Sequence, residues 1–140
     1  MIRAVVDTNV FISGLISRHS PPAQIVDRWL SGGFLLITSS YQVNEILYVL
    51  DYPHIAKRIE TRPDEKRALL EAFNTRAIWT DGLLQLPGVT RDVKDDALVA
   101  CAVEGQVDFL VSGDKDILEL AKYANVRMIT PSEFLALLDE

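Results

Sequence analysis

Five short apolar runs recur along the chain with longer helix-like stretches between them: "IRAVV" (2–6), "FLLIT" (34–38), "AIWT" (77–80), "VDFLVS" (107–112) and "VRMIT" (126–130). Each is too brief for a stable helix, and most lack the alternation of a half-exposed strand, so they read as strands buried on both faces. Parallel strands require a crossover of a dozen residues or more, usually a helix. The order therefore predicts one α/β domain over 1–140, built on a mostly parallel sheet covered on both faces by helices.

The intervening segments carry helix signals. "PPAQIVDRWLSGG" (21–33) places Pro at a start, Ile25, Val26, Trp29 and Leu30 at helical spacing, and Gly32 and Gly33 at the stop. "SSYQVNEILYVLDYP" (39–53) opens on serine caps and ends at Pro53, with Val43, Ile46, Leu47 and Leu50 on one face. Residues 54–76 predict two helices broken at Pro63, and 81–93, with its Gly and Pro, the longest loop. A helix beginning at "KDDALVACAV" (94–103) ends at Gly105, "DKDILELAKYA" (114–124) predicts another, and Thr130, Pro131 and Glu133 form a capping box that starts the last.

Composition narrows function. Twenty acids against 14 bases give a net charge of −6, which argues against a protein that coats nucleic acid electrostatically. An enzyme acting on nucleic acid remains compatible, provided cations neutralise its acids where they concentrate. The longest apolar stretch, "ALVACAV", is too short to cross a bilayer, and "MIRAVVDTNVF" lacks the features of a secretory signal. One cysteine, Cys101, excludes an internal disulfide, reads as a small buried hydrophobe, and points to a cytoplasmic location.

The acids fall where a parallel sheet puts chemistry. Ligands bind beyond the C-terminal ends of the strands. Asp7 ends the first strand, Asp114 follows "VDFLVS" with Asp116 two residues on, and Asp96 opens a crossover helix whose N-terminus faces the same edge. Asp92 can cap that helix, which leaves Asp95 and Asp96 in its first turn without a structural duty, and Asp96 is assigned to the acidic cluster. Glu45 sits in the first half of a helix that follows a strand; it joins the cluster or is a solvated surface acid. Carboxylates about 4 Å apart repel by on the order of 1 kcal/mol in water and more in a cleft, so such a cluster calls for a cation. Oxygen ligands without His or Cys select Mg2+ or Mn2+, and in the absence of a Gly-rich nucleotide cradle phosphodiester hydrolysis fits best.

"VVDTNVFISGL" (5–15), Glu45 within "SSYQVNEILYVL" (39–50), "KDDALVACAV" and "FLVSGDKDIL" (109–118) resemble, in order and spacing, the PIN domain family, and within it the toxin ribonucleases of bacterial and archaeal toxin–antitoxin pairs. The resemblance implies a three-layer α/β/α sandwich and a Mg2+- or Mn2+-dependent endoribonuclease. It implies Asp7, Glu45, Asp96 and Asp114 as the catalytic acids and metal ligands, Asp116 as an accessory ligand, and Asn9 and Ser112 as supporting polar residues, and it leaves Asp95 as a cap or supporting group. It further implies an RNA substrate, a homodimer and a cognate antitoxin.

Arg91 and Lys94, in the approach to Asp96, are candidates for holding substrate. Tyr41, Tyr48 and Tyr52 form a stripe that either stacks bases or packs, and the bases of 54–76 are interleaved with acids as on a solvated helix. Two alternatives remain at this point. One is a PIN-fold RNA-binding module without catalysis. The other is a phosphorelay receiver, with Lys115 as its lysine, although only Asp81 lies near the end of the third strand.

Overall fold

The computed structural model describes residues 1–140. Strand β1 (Arg3–Val6) is followed by α1 (Thr8–Ile16), α2 (Pro21–Leu30), β2 (Leu35–Thr38), α3 (Ser40–Leu50), α4 (Pro53–Ile59) and α5 (Pro63–Thr75). The second half runs β3 (Ala77–Trp79), α6 (Val93–Glu104), β4 (Phe109–Val111), α7 (Lys115–Leu118), β5 (Lys122–Tyr123), β6 (Val126–Ile129) and α8 (Pro131–Leu138). The sheet has the order β3-β2-β1-β4-β6-β5. Every pair is parallel except β5 with β6.

Successive side chains of a strand face opposite sides of its sheet; in β1, β2, β4 and β6 both sides carry buried residues, whereas the edge strand β3 leaves Ile78 and Trp79 exposed. Ala4 and Val6, Leu36, Val111 and Ile129 turn to one core with Phe11, Trp29, Phe73 and Phe134 from α1, α2, α5 and α8. Their neighbours Val5, Ile37, Leu110 and Met128 turn to a second core with Leu98, Val99 and Cys101 of α6 and Ile117 of α7. The result is the expected three-layer α/β/α sandwich. In the larger core Phe11 meets Trp29 and Phe73 edge to face, with ring centroids 5.9 and 5.2 Å apart, a preferred aromatic geometry.

Local chemistry starts most helices where the sequence signals them. The Ser20 and Ser39 hydroxyls accept from the Ala23 and Gln42 amides, and the Asp92 carboxylate accepts from the Lys94 amide. The Thr130 hydroxyl accepts from the Glu133 amide while the Glu133 carboxylate accepts from the Thr130 amide, completing the capping box. Pro63 does separate two helices, α4 and α5.

Two segments depart from expectation. Helix α1 has no counterpart among the elements predicted from sequence: it buries Val10, Phe11, Ile12 and Leu15 and shows little amphipathic contrast. The helix expected over 114–124 stops at Leu118, and Lys122–Tyr123 instead pairs antiparallel with Val126–Arg127. Ala121 and Ala124 adopt positive φ, 59° and 53°, which ends any helix there. Ile117, Leu120 and Tyr123 are spaced as on a helix, and all three contact the second core by this other route.

Gly105, which caps α6, lies against the sheet: a Cβ there would stand 2.5 Å from Cγ2 of Ile37, a branched and stiff side chain at the centre of the second core. Gly105→Ala is expected to destabilise the protein by about 1–3 kcal/mol, the usual cost of overpacking. Thermal unfolding of the variant checks this; a melting temperature equal to wild type would mean that the helix end can move away.

Candidate metal centre

Strands that run parallel end at one edge, and helices returning to pack on them begin there. Asp7 is the N-cap of α1 directly after β1, Ser39 that of α3 after β2, Asp92 that of α6, and Asp114 that of α7 after β4. Helix N-termini present free amides and positive dipole ends, which favours acids at this edge. Carboxylate oxygens of Asp95, Asp114 and Asp116 all lie within 4.8 Å of one another. A small cleft lined by Asp7, Glu45, Lys94 and Asp95 adjoins them.

Hydrogen bonds fix these acids individually. The Ser112 hydroxyl, at the end of β4, donates to Asp7 Oδ2 at 2.8 Å and accepts from the Asp114 amide at 2.9 Å. Asp114 Oδ1 accepts from the Asp116 amide at 2.8 Å. The Thr8 hydroxyl donates to Glu45 Oε1 at 2.6 Å, and Lys94 Nζ stands 4.0 Å from Glu45 Oε2. Behind them the fully enclosed Thr38 hydroxyl donates to Gln42 Oε1, and the Gln42 amide donates to the Val6 carbonyl, tying the start of α3 to the end of β1.

Burial dominates the electrostatics. Asp7, 8% exposed, has its pKa raised by burial, with Asp114 and Glu45 adding to the rise and the Ser112 hydroxyl and the Asn9 amide opposing it. Asp95, also 8% exposed, is pushed up to about 7 by burial and by the charges of Asp114, Asp7, Asp92 and Asp116. Groups held this way bind either protons or a cation.

The structure sets the two aspartates of "KDDALVACAV" in different surroundings, with Asp95 instead of the expected Asp96 beside the other acids. Asp96 turns away from the cluster: it accepts from the Gly88 amide at 2.9 Å and from the Thr90 amide and hydroxyl, each at 2.7 Å. Its pKa is lowered, first by the Thr90 hydroxyl and further by the Thr90 and Gly88 amides. Asp95 is the residue that faces Asp114 and Asp116. Neighbours on a helix point about 100° apart, so only one of the pair can look into the centre.

The other expected site residues divide. Asp7, Glu45, Asp114, Asp116 and Ser112 belong to one connected region through the contacts above. Asn9 is exposed, and its backbone amide, rather than its side chain, acts on Asp7. Arg91 is exposed without a hydrogen-bond or ion-pair partner among the acids, whereas Lys94 reaches Glu45. Thr8 and Gln42 were not expected; a hydroxyl beside the strand-end aspartate and an amide one turn before Glu45 are their only sequence signals. Tyr41 and Tyr48 are exposed, and Tyr48 packs edge to face on Tyr52. The receiver alternative fails on topology, because β3 is an edge strand and Asp81 lines a neighbouring groove instead of this centre.

The model of the PIN domain family matches residues 3–116, a span that includes every acid of the centre. This chain belongs to the PIN domain family. The uncharacterized protein MJ1680 of Methanocaldococcus jannaschii is similar to this PIN domain, 31% identical over 144 residues that cover 96% of this chain and 90% of that protein. Among solved structures, FitAcB from Neisseria gonorrhoeae has a similar fold, with a TM-score of 0.59 and 17% identity over 92% of this chain and 98% of that one. VapBC2 from Rickettsia felis, bound to a DNA fragment from its promoter, is similar with a TM-score of 0.52 and 12% identity, over the same shares of the two chains. No helix of this PIN domain is long and apolar enough to cross a membrane.

Two outcomes are expected from this geometry. A carboxyl whose pKa is raised by folding keeps a proton that the unfolded chain has released, so stability falls as pH rises from the ordinary value of 3.8 toward about 7. The metal-free protein should therefore melt lower as pH is raised through this window. Asp95→Asn should flatten the slope and melt higher than wild type above the window; an unchanged slope would show that Asp95 is not held as described. Asp96→Ala should instead speed amide hydrogen exchange around Gly88–Thr90, with no comparable change at Asp114–Asp116, as read by mass spectrometry.

Proposed function

We propose that this PIN domain is a Mg2+- or Mn2+-dependent endoribonuclease and the toxin of a toxin–antitoxin pair. The observation that carries the nuclease reading is the convergence of Asp95, Asp114 and Asp116 oxygens within 4.8 Å, beside Asp7 and Glu45. These hard oxygen donors, buried and crowded enough to raise Asp95 to about 7, fit a small divalent cation. Asp7, Asp95, Asp114 and Asp116 would hold it, with Glu45 at the side nearer Lys94. Bound there, Mg2+ or Mn2+ supplies Lewis acidity to the scissile phosphate and to an attacking water.

The chain's own residues do the positioning. Ser112 bridges Asp7 and the Asp114 amide and so holds two strand ends at a fixed separation. Thr8 orients Glu45, and Lys94 brings a positive charge to the cleft mouth, where a phosphate can be met. The toxin reading is supported by the sequence resemblance to toxin ribonucleases and by the fold likeness to chains of FitAcB and of VapBC2, the latter bound to a DNA fragment from its promoter. An antitoxin would then be the protein partner and RNA the substrate.

Cleavage of single-stranded RNA should require Mg2+ or Mn2+ and stop with EDTA. Asp7→Asn and Asp95→Asn should each lower the rate by on the order of a hundredfold or more while the fold persists. Asp96→Asn should leave kcat at saturating RNA largely intact, with any loss appearing in KM, because Asp96 holds the 80–92 loop instead of the cation. Equal loss of kcat in the Asp95 and Asp96 variants would remove the assignment of Asp95 to the cation, and metal-independent cleavage would remove the mechanism.

A further inference from the structure

Next to the acidic centre lies a larger groove, of about 550 Å³, within the usual range for a site that takes one small organic group. Its wall on α6 is Ala97 and Ala100, its rim is Leu84, Leu86 and Pro87 of the 80–92 loop, and its near end is Tyr41. The groove and the acidic cleft share Ser39, Tyr41 and Ala97, so the two cavities abut.

The chemistry of the groove is specific. No lysine or arginine lines it. Of its three carboxylates, two are already engaged: Asp96 by Gly88 and Thr90, and Glu104 by the amides of Gly82, Leu83 and Leu84 at 2.9, 3.1 and 3.1 Å. Those contacts hold the loop in place and form the rim. Asp81 is the exposed acceptor left at the groove's edge. A phosphate would be repelled here. A flat, neutral group with apolar faces and N–H donors on its edge would be accepted.

Resting on the endoribonuclease reading, we infer that this groove receives the unpaired nucleobase beside the cleaved phosphate. In a single strand a base adjoins every phosphate, and Tyr41, which lines both the acidic cleft and the groove, stands where a phosphate at the acids would have its neighbouring base. Tyr41 is 49% exposed and free to stack on it, and Leu84, 37% exposed, offers an apolar face. The acidic centre thus handles charge and the groove handles the base. Selectivity would favour bases whose edges donate to a carboxylate, as cytosine does through its amino group.

The test uses the full chain and two readouts. Products from a short single-stranded RNA locate the cut, and abasic nucleotides are then placed at each position around it. One adjacent position should raise KM at least about fivefold when abasic, the lower end of what a stacked base contributes. The double variant Leu84→Ala, Leu86→Ala should raise KM on intact RNA but not on that abasic RNA. In parallel, RNA carrying 4-thiouridine is photocrosslinked to the Asp7→Asn protein, and crosslinks are expected within residues 80–93 or on α6. Cleavage that is indifferent to abasic nucleotides, with crosslinks elsewhere, overturns the groove and leaves the nuclease. Crosslinks in the groove without cleavage by wild type overturn the nuclease and leave a base-binding site. Neither binding nor cleavage overturns both.

Discussion

Five parallel strands must end on one edge of their sheet, and the helices that follow them must begin near it. That single geometric constraint gathers the N-caps Asp7, Ser39, Asp92 and Asp114 from distant parts of the chain. Free helix amides at the edge offset part of the negative charge there, and Ser112 spans the gap between β1 and β4. Burial first, and the neighbouring carboxylates after it, still raise the pKa of both Asp7 and Asp95. An edge that stays under electrostatic tension without a cation is well prepared to bind one.

Helix α6 organises both sides of this edge. Its buried face, with Leu98, Val99 and Ala102, packs against β1, β2 and β4 and so sets which way the helix faces. With the rotation set, Asp95 points at the acids, while Asp96 and Glu104 grip the 80–92 loop through six hydrogen bonds. A single helix therefore supplies one group to the acidic centre and two to the loop that walls the adjoining groove. Gly105 terminates it where no side chain would fit beside Ile37.

Much of this was legible from particular residues. Asp7 and Asp114 could be placed because each follows a short buried strand, and a strand end fixes direction as well as position. Ser20, Ser39, Asp92 and the Thr130–Glu133 pair marked helix starts because capping is a local interaction, complete within four residues. Helix α1 was hidden for the opposite reason: buried on most of its surface, it lacks a polar face to reveal its period. Residues 119–124 misled because Ile117, Leu120 and Tyr123 satisfy a helical spacing, yet β6 offers Lys122–Tyr123 a strand to pair with.

The amino-acid sequence by itself determined the layered α/β architecture, the strand ends that carry acids, and the kind of cation such acids suit, because periodicity, capping and ligand hardness are properties of short stretches and of side-chain chemistry. Which of two adjacent aspartates faces the centre was decided only by the tertiary structure. Asp95 and Asp96 have the same chemistry and nearly the same place along the chain, and a rotation of about 100° separates their directions. The packing of α6 on the sheet sets that angle, and the amides of a loop several residues away claim the carboxylate that is left over.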